Sequence, residues 1–482
     1  MNLLRTLALF WFLISALPAA GLPAKIQQVL DASTRVQRGF LGLAIVNLAS
    51  GEVVFESNSS HLFVPASNTK LFTTALGLTR LGPDYRFHTT VVASPEPDRD
   101  GRIAGTVTLV GGGDPNLSGR ELPYRLDSPP GDGLQAIEDL ASQVAARGIR
   151  RIDGDIVGDD TVYVWEPYPD GWGLDDAVWE YGAPVSALTV NDNAFRLSVL
   201  PGDPARIAID PPLEFYQIDN LVRTGAERKI HIEREPGSRQ LRIWGTLPSK
   251  GPGQSHILAL HDPALYAAAA LRDALARRGV AIHGEAIARH ALPGQPLEPA
   301  AGFELAQRES ALLLEDLRVT AKVSQNLHAE LILRAVARAR RGVGSVEAGL
   351  EEMKAFLKEM GVGADEYQLT DGSGLSRKNL VTPGAVVKLL QFMYNSPHRA
   401  DWMSLLPIGG EDGTLKLRLR NTGAAGRIHA KTGALTHVSS LSGYAERRDG
   451  TMLAFSFLTN NAGVPSAEVR AVLDKLCVVM TE

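Results

Sequence analysis

Apolar side chains crowd the stretch from Leu41 to Leu48 with few polar interruptions, a pattern that predicts a buried strand, and Val53 to Glu56 follows across Ser50-Gly51 as its hairpin partner. The period then changes. Leu71, Ala75, Leu78 and Leu81 recur at helical spacing, so the segment opened by Val64-Pro65-Ala66-Ser67 is predicted as a helix with one face in a core and Ser67 in its first turn. From about Arg86 to Gly302 the apolar runs are short and turns are frequent, among them Arg99-Asp100-Gly101 and Pro201-Gly202-Asp203-Pro204. Within that stretch, a helix from Leu134 to Arg147 followed by a strand from Ile152 to Gly158 predicts an α/β unit. Phe195 to Leu247 reads as mainly β, and α/β character returns with a helix from Pro263 to Arg278. From about Glu304, two helices flank Ser324, and three strands follow: Ile428 to Leu435, Val438 to Glu446 and Met452 to Thr459. The last two are joined at Asp449-Gly450, and a closing helix runs from Ser466 to Val479. No internal repeat interrupts this order.

Length changes the picture first: 482 residues are about three times the usual domain length, so two or three domains are expected. With 44% hydrophobic and 21% charged residues the composition is that of a globular protein, and a net charge of -5 offers no basic field for nucleic acid. The first residues carry Arg5, an apolar run from Leu7 to Leu17 and the small-residue stretch Pro18-Ala19-Ala20-Gly21, which together predict a secretory signal peptide over residues 1–21. That run is shorter than the roughly 20 apolar residues of a membrane span. The mature chain is therefore expected in the periplasm or otherwise outside the cytoplasm; peripheral membrane association is compatible with this, and the oligomeric state is left open. A single cysteine, Cys477, rules out an internal disulfide and is read as a small core residue of the closing helix.

Candidate chemistry sits in three short words: Ser67-Asn68-Thr69-Lys70, Ser324-Gln325-Asn326 and Lys431-Thr432-Gly433. A serine hydroxyl needs a base within hydrogen-bond reach, and residues three apart on a helix share a face, so Lys70 can meet the Ser67 oxygen. Lysine serves as a base only when burial or a neighbouring cation lowers its pKa, and Lys431 is a candidate for that second charge. Ser324 is expected to relay a proton to the leaving nitrogen, and Asn326 to bind a substrate amide or hold Lys70. Lys431 and Thr432 are expected to bind a substrate carboxylate, with Gly433 allowing close approach to the strand backbone. Backbone N–H groups of Ser67 and Ala434 would form the oxyanion hole.

In that order the words form the S-x-x-K, S-x-N and K-T-G set of penicillin-reactive serine enzymes. The chain resembles the class C low-molecular-mass penicillin-binding proteins, the D-alanyl-D-alanine carboxypeptidases and endopeptidases of bacterial cell-wall peptidoglycan. The resemblance extends to Ser324-Gln325-Asn326-Leu327-His328-Ala329-Glu330 and Asp371-Gly372-Ser373-Gly374-Leu375-Ser376-Arg377. About 257 residues separate Ser67 from Ser324, whereas class A β-lactamases with the same words leave only about a quarter of that.

The resemblance implies an α/β multi-domain fold: a penicillin-binding, β-lactamase-like transpeptidase domain (antiparallel sheet flanked by helices) with two inserted domains. The implied partition is 22–85 with 303–482 for the peptidase domain, 86–194 with 258–302 for an α/β domain II, and 195–257 for a mainly β domain III. It implies Ser67 as the acylated nucleophile, Lys70 as base, and Ser324, Asn326, Lys431 and Thr432 as cleft residues, with Trp172, Ser373 and Leu375 on the substrate side. It also pairs Asp175 with Arg377 as holders of the ammonium and carboxylate at the end of a diaminopimelate side chain. The implied partners are peptidoglycan peptides and, as covalent inhibitors, β-lactam antibiotics; no cofactor or metal is implied.

The segment Trp165 to Tyr181 supports a binding surface independently, since three of the six tryptophans, Trp165, Trp172 and Trp179, fall there beside Glu166, Asp170, Asp175 and Asp176. Two residues depart from the pattern: Ala434 stands where Thr or Ser is usual, and Gln325 where Asp is frequent. Loss of the hydroxyl at Ala434 is expected to weaken carboxylate binding.

Other signals carry less. Gly111-Gly112-Gly113-Asp114 lacks the ending of a phosphate loop and reads as a turn. His328-Ala329-Glu330 resembles a zinc-deaminase word, but one cysteine cannot supply the paired ligands. Arg334, Arg338, Arg340 and Arg341 read as a solvated helix face. A β-lactamase with a large insert and a non-catalytic peptidoglycan-binding scaffold are the alternative readings.

Overall fold

The computed structural model describes residues 21–125, 131–235, 237–295 and 297–482, so the signal-peptide segment lies outside the described residues apart from Gly21. Five strands make one antiparallel sheet in the order Ile428–Leu435, Val438–Glu446, Met452–Asn460, Phe40–Asn47, Val53–Ser57. The N-terminal strand thus closes onto the last strand of the chain, with Leu43 opposite Phe457 and Ile45 opposite Phe455. Alternation along Phe40–Asn47 decides the layers. Leu43 and Ile45 join Phe455, Phe457, Ile26, Leu476 and Cys477 under the two terminal helices, Leu22–Asp31 and Ser466–Thr481. Ala44 and Val46 face the other way, into a core with Phe72, Leu331, Phe356 and Trp402. That second core is built by the helices Thr69–Leu81, Leu313–Lys322, Asn326–Arg341, Val346–Glu359 and Pro383–Tyr394.

Between His88 and Glu309 lies a second body with its own core. Its main sheet runs Ala286–Ala291, Ile156–Val164, Thr106–Val110, His88–Ser94, Phe303–Glu309, and helices Gln135–Ala146 and Pro263–Arg277 pack with it. Asp262 caps the latter helix, its Oδ1 accepting from the Leu265 N–H at 2.9 Å, with Pro263 at the first position. Two three-stranded sheets fill the middle of the insert: Ala194–Leu200 between Arg206–Asp210 and Gln254–Ala259, and Gln240–Leu247 between Gln217–Thr224 and Lys229–Glu233.

One expected boundary moves. Phe303–Glu309 was expected to open the C-terminal part of the peptidase domain, but it is the edge strand of the insert's sheet, antiparallel to His88–Ser94, with Leu305 and Ala306 buried. The strand predicted from Ile152 is likewise two strands, Arg151–Ile152 and Ile156–Val164, in different sheets.

Candidate active site

Ser67 lies where the chain enters its helix. Ala66–Asn68 forms a 3-10 turn and the α-helix begins at Thr69, so the serine sits just before the helix rather than within its first α-turn. Ala66 takes a positive φ of 50°, a sparsely populated conformation for a residue with a Cβ. Neighbours enforce it. Gly374, at φ 81°, lies so close that an added Cβ would meet the Ala66 carbonyl oxygen at 1.9 Å. Gly433 presses from the strand side, where a Cβ would lie 2.8 Å from the Pro65 oxygen and 3.0 Å from the Ser67 nitrogen. Glycine at 433 therefore admits the Ser67 loop against the strand, a closer reason than substrate approach.

Lys70 is fully buried beneath this turn, with its Nζ 3.0 Å from Ser67 Oγ, 2.6 Å from Asn326 Oδ1 and 2.6 Å from the Ser373 carbonyl oxygen. Burial lowers its pKa to about 7, against the opposing carboxylates of Asp371 and Glu330. Lys431 is also fully buried; its Nζ donates to Ser324 Oγ at 2.8 Å and to the Thr432 carbonyl at 2.9 Å. Burial, then the charge of Lys70, holds its pKa well below the ordinary lysine value. The Lys431 amine is thus turned to Ser324 and held within the protein. Thr432 is half-buried, with its hydroxyl 2.8 Å from that of Thr414, and Ala434 is exposed. Asn68 ties the first word to the third, its Nδ2 donating to the Lys431 carbonyl at 2.9 Å.

The second word spans the junction of two helices. Ser324, at φ 69°, links Leu313–Lys322 to Asn326–Arg341, and Asn326 divides its amide between Lys70 and the Tyr181 carbonyl, to which Nδ2 donates at 2.7 Å. Asn326 therefore holds Lys70, one of its two expected tasks.

Two carboxylates missed in the sequence complete the arrangement. Glu330 is fully buried one turn beyond Asn326 and accepts from the backbone N–H groups of Gly372 and Ser373, each at 2.9 Å. It thereby aims the Ser373 carbonyl at Lys70. Burial and the Asp371 charge raise the Glu330 pKa to about 7. Asp371 accepts from the N–H groups of Gly374 and Ser376 at 2.7 Å each, from Asn379 Nδ2 at 2.6 Å and from Trp172 Nε1 at 3.0 Å. Both residues stand inside the quoted words, so their identity was in view while their backbone role was not. Ser373 reaches the site through its carbonyl alone: its side chain is fully buried and donates to Asp371, which removes the hydroxyl as a substrate contact. Leu375 is buried as well. Arg334, expected on a solvated face, is buried and paired with Glu330 at 3.2 Å, since its helix face turns inward.

The loops carrying Asp175 and Arg377 are in contact. Trp172 bonds to Asp371, Asp170 pairs with Lys378 at 2.7 Å, and Gly171 leaves no room for a Cβ beside Ser376 Oγ. Asp175 and Arg377 are both exposed, and the guanidinium donates to the Thr436 carbonyl at 3.0 Å.

Residues 22–481 match the model of the D-Ala-D-Ala carboxypeptidase 3 (S13) family. The chain belongs to this family. A D-alanyl-D-alanine carboxypeptidase of Actinomadura sp. (strain R39) is 34% identical over 458 residues, covering 92% of this chain and 81% of that protein. The D-alanyl-D-alanine carboxypeptidase DacB of Haemophilus influenzae is 25% identical over 441 residues, covering 89% and 87%. In fold, the chain is similar to the crystal structure of penicillin binding protein 4 (dacB) from Haemophilus influenzae, with a TM-score of 0.79 and 24% identity over 93% of this chain and 97% of that one. As a member of the S13 carboxypeptidase family, the chain is a serine D,D-peptidase with the penicillin-binding fold. No helix among the described residues is long and apolar enough to cross a membrane.

Proposed function

We propose that Ser67 attacks the D-Ala-D-Ala carbonyl of peptidoglycan stem peptides and the equivalent bond of their cross-links. The observation that carries this reading is Lys70 Nζ at 3.0 Å from Ser67 Oγ with a pKa of about 7, so the amine is partly neutral near neutral pH. Lys70 takes the hydroxyl proton as Ser67 Oγ bonds to the carbonyl carbon. The N–H groups of Ser67 and Ala434 receive the oxyanion, which in related chemistry contributes about 3 kcal/mol per donor. As the C–N bond breaks, a proton passes through the Lys431–Ser324 pair to the leaving amine, supported by their 2.8 Å bond. D-alanine or the amine of a cross-link departs, and water hydrolyses the ester on Ser67.

Asp175 and Arg377 bind the far zwitterionic end of a diaminopimelate side chain, a reading supported by the contact between their loops. β-Lactams acylate the same serine, and the enzyme works outside the cytoplasm after removal of residues 1–21. The test is digestion of purified peptidoglycan with the fragments identified by mass. Release of D-alanine, or conversion of cross-linked to uncross-linked peptides, is expected from wild type and not from Ser67→Ala. Equal products from both would overturn the assignment.

A further inference from the structure

In the insert, Asn191, Asp192 and Asn193 are three consecutive non-glycine residues with positive φ, at 51°, 57° and 51°. Such a conformation persists only where its surroundings over-determine it. Here they do: Asn193 is fully buried, takes the Val190 N–H on Oδ1 at 3.0 Å and donates to the Pro184 carbonyl at 2.9 Å, while Asn191 Nδ2 donates to the Ala194 carbonyl at 2.8 Å. The knuckle so formed presents the Asp192 carboxylate to the second catalytic word.

Asp192 Oδ2 accepts from Gln325 Nε2 at 3.2 Å and from the Arg120 guanidinium, and Oδ1 accepts from His328 Nε2 at 3.0 Å. Burial opposes ionisation of Asp192, yet Arg120 and His328 bring its pKa well below the usual carboxylate range. His328 is fully buried, burial lowers its pKa, and its Nε2 lies between Asp192 Oδ1 at 3.0 Å and the Arg120 guanidinium at 3.4 Å. Gln325 in turn accepts the Leu327 N–H at 3.1 Å on Oε1, which fixes the start of the helix.

The side chains of this turn therefore divide by task. Ser324 goes to Lys431 and Asn326 to Lys70, while Gln325 and His328 go to Asp192. Ser324 itself has a positive φ of 69°, a second strained residue that needs holding.

We propose that Asp192 is a positioning residue of the D,D-peptidase reaction: from the insert, it grips Gln325 and His328 and so fixes Ser324 and Asn326 against the two lysines. The large insert is then a working part of the catalytic arrangement. Gln325 suits this place because its amide donates to Asp192, which a carboxylate would face with a like charge.

The inference rests on Ser67 being the acylated residue, and the test separates the two. Acylation by a fluorescent penicillin is followed for wild type, Ser67→Ala, Asp192→Asn, Gln325→Glu and the Asp192→Asn/Gln325→Glu double variant, with circular dichroism and thermal melts reporting the folded fraction. Labelling of Ser67→Ala at the wild-type rate would sink the nucleophile assignment, whatever the other variants do. In folded protein, Asp192→Asn is expected to slow the acylation step by about tenfold or more, with initial binding changed by less than about twofold. Gln325→Glu is expected to do the same, because two carboxylates then face each other. In the double variant the new amide can donate to the new carboxylate, and the rate recovers by about tenfold over either single variant. Single variants that fold and acylate at the wild-type rate would overturn the proposal, as would a double variant no faster than the slower single. Should Asp192→Asn fail to fold, the partly exposed Gln325→Glu decides alone by the same criterion.

Discussion

At Lys70, burial weakens the hold of the amine on its proton while Asp371 and Glu330 strengthen it, and the balance is a pKa of about 7. kcat/KM for a D-Ala-D-Ala peptide is therefore expected to fall about tenfold per pH unit below roughly pH 7. Because the Glu330 charge raises the Lys70 pKa, Glu330→Gln should move that limb to lower pH; a limb that stays or moves upward contradicts this electrostatic account. Gly433→Ala tests the packing: its Cβ would strike Ser440 Oγ at 2.1 Å and crowd the Ser67 nitrogen, so a loss of acylation of about tenfold or more is expected in the folded protein, with stability lowered by about 1–3 kcal/mol. Unchanged acylation would mean that the strand can retreat freely. At this scale, Ser67, Lys70, Ser324, Asn326 and Lys431 were legible because each belongs to a word whose spacing reflects helix or strand geometry. Glu330 was not, because it acts on backbone N–H groups up to 43 residues away, a relation no spacing encodes; Asp371 was not, because its partners are mostly backbone N–H groups of its own loop and the Trp172 ring, whose approach only the fold decides.

Among the elements, strands and helices with a clear apolar period were legible to within a residue or two, as in Ile428–Leu435 and Ser466–Thr481. Phe303–Glu309 was assigned to the wrong body because an edge strand declares its sheet only through its partner, here more than 200 residues earlier. Trp165 and the strand Ala286–Ala291 show a further link absent from local pattern. The Trp165 ring stacks on His290 at 4.0 Å, and His290 bonds to Asp160 at 2.9 Å and Asp262 at 3.4 Å. Burial disfavours the imidazolium, but these carboxylates outweigh it and raise its pKa to about 10. Its folded pKa exceeds its unfolded value of about 6.5, so the stabilisation is full below pH 6.5 and is lost as pH rises toward 10. After allowance for solvent screening at a partly exposed ring, about 2 kcal/mol is expected. Urea unfolding of wild type and His290→Gln at pH 6 and pH 9 reads it: the stability difference should shrink at the higher pH, and a constant difference would refute the linkage.

For the molecule as a whole, the insert and the peptidase core meet at the chemistry itself: Tyr181 and Asp192 hold the second word, and Trp172 binds the loop that supplies the Ser373 carbonyl. The length of the insert was legible in the distance between the first two words, but its grip on Asn326 and Gln325 depends on contacts across more than 130 residues. We propose that this assembly activates Ser67 for acylation. Intact mass spectrometry of the purified protein after benzylpenicillin, followed by proteolysis to locate the adduct, tests it most directly. A gain equal to one whole penicillin is expected, confined to the peptide bearing Ser67 and absent from Ser67→Ala. No adduct on wild type, or an adduct on another residue, would contradict the account.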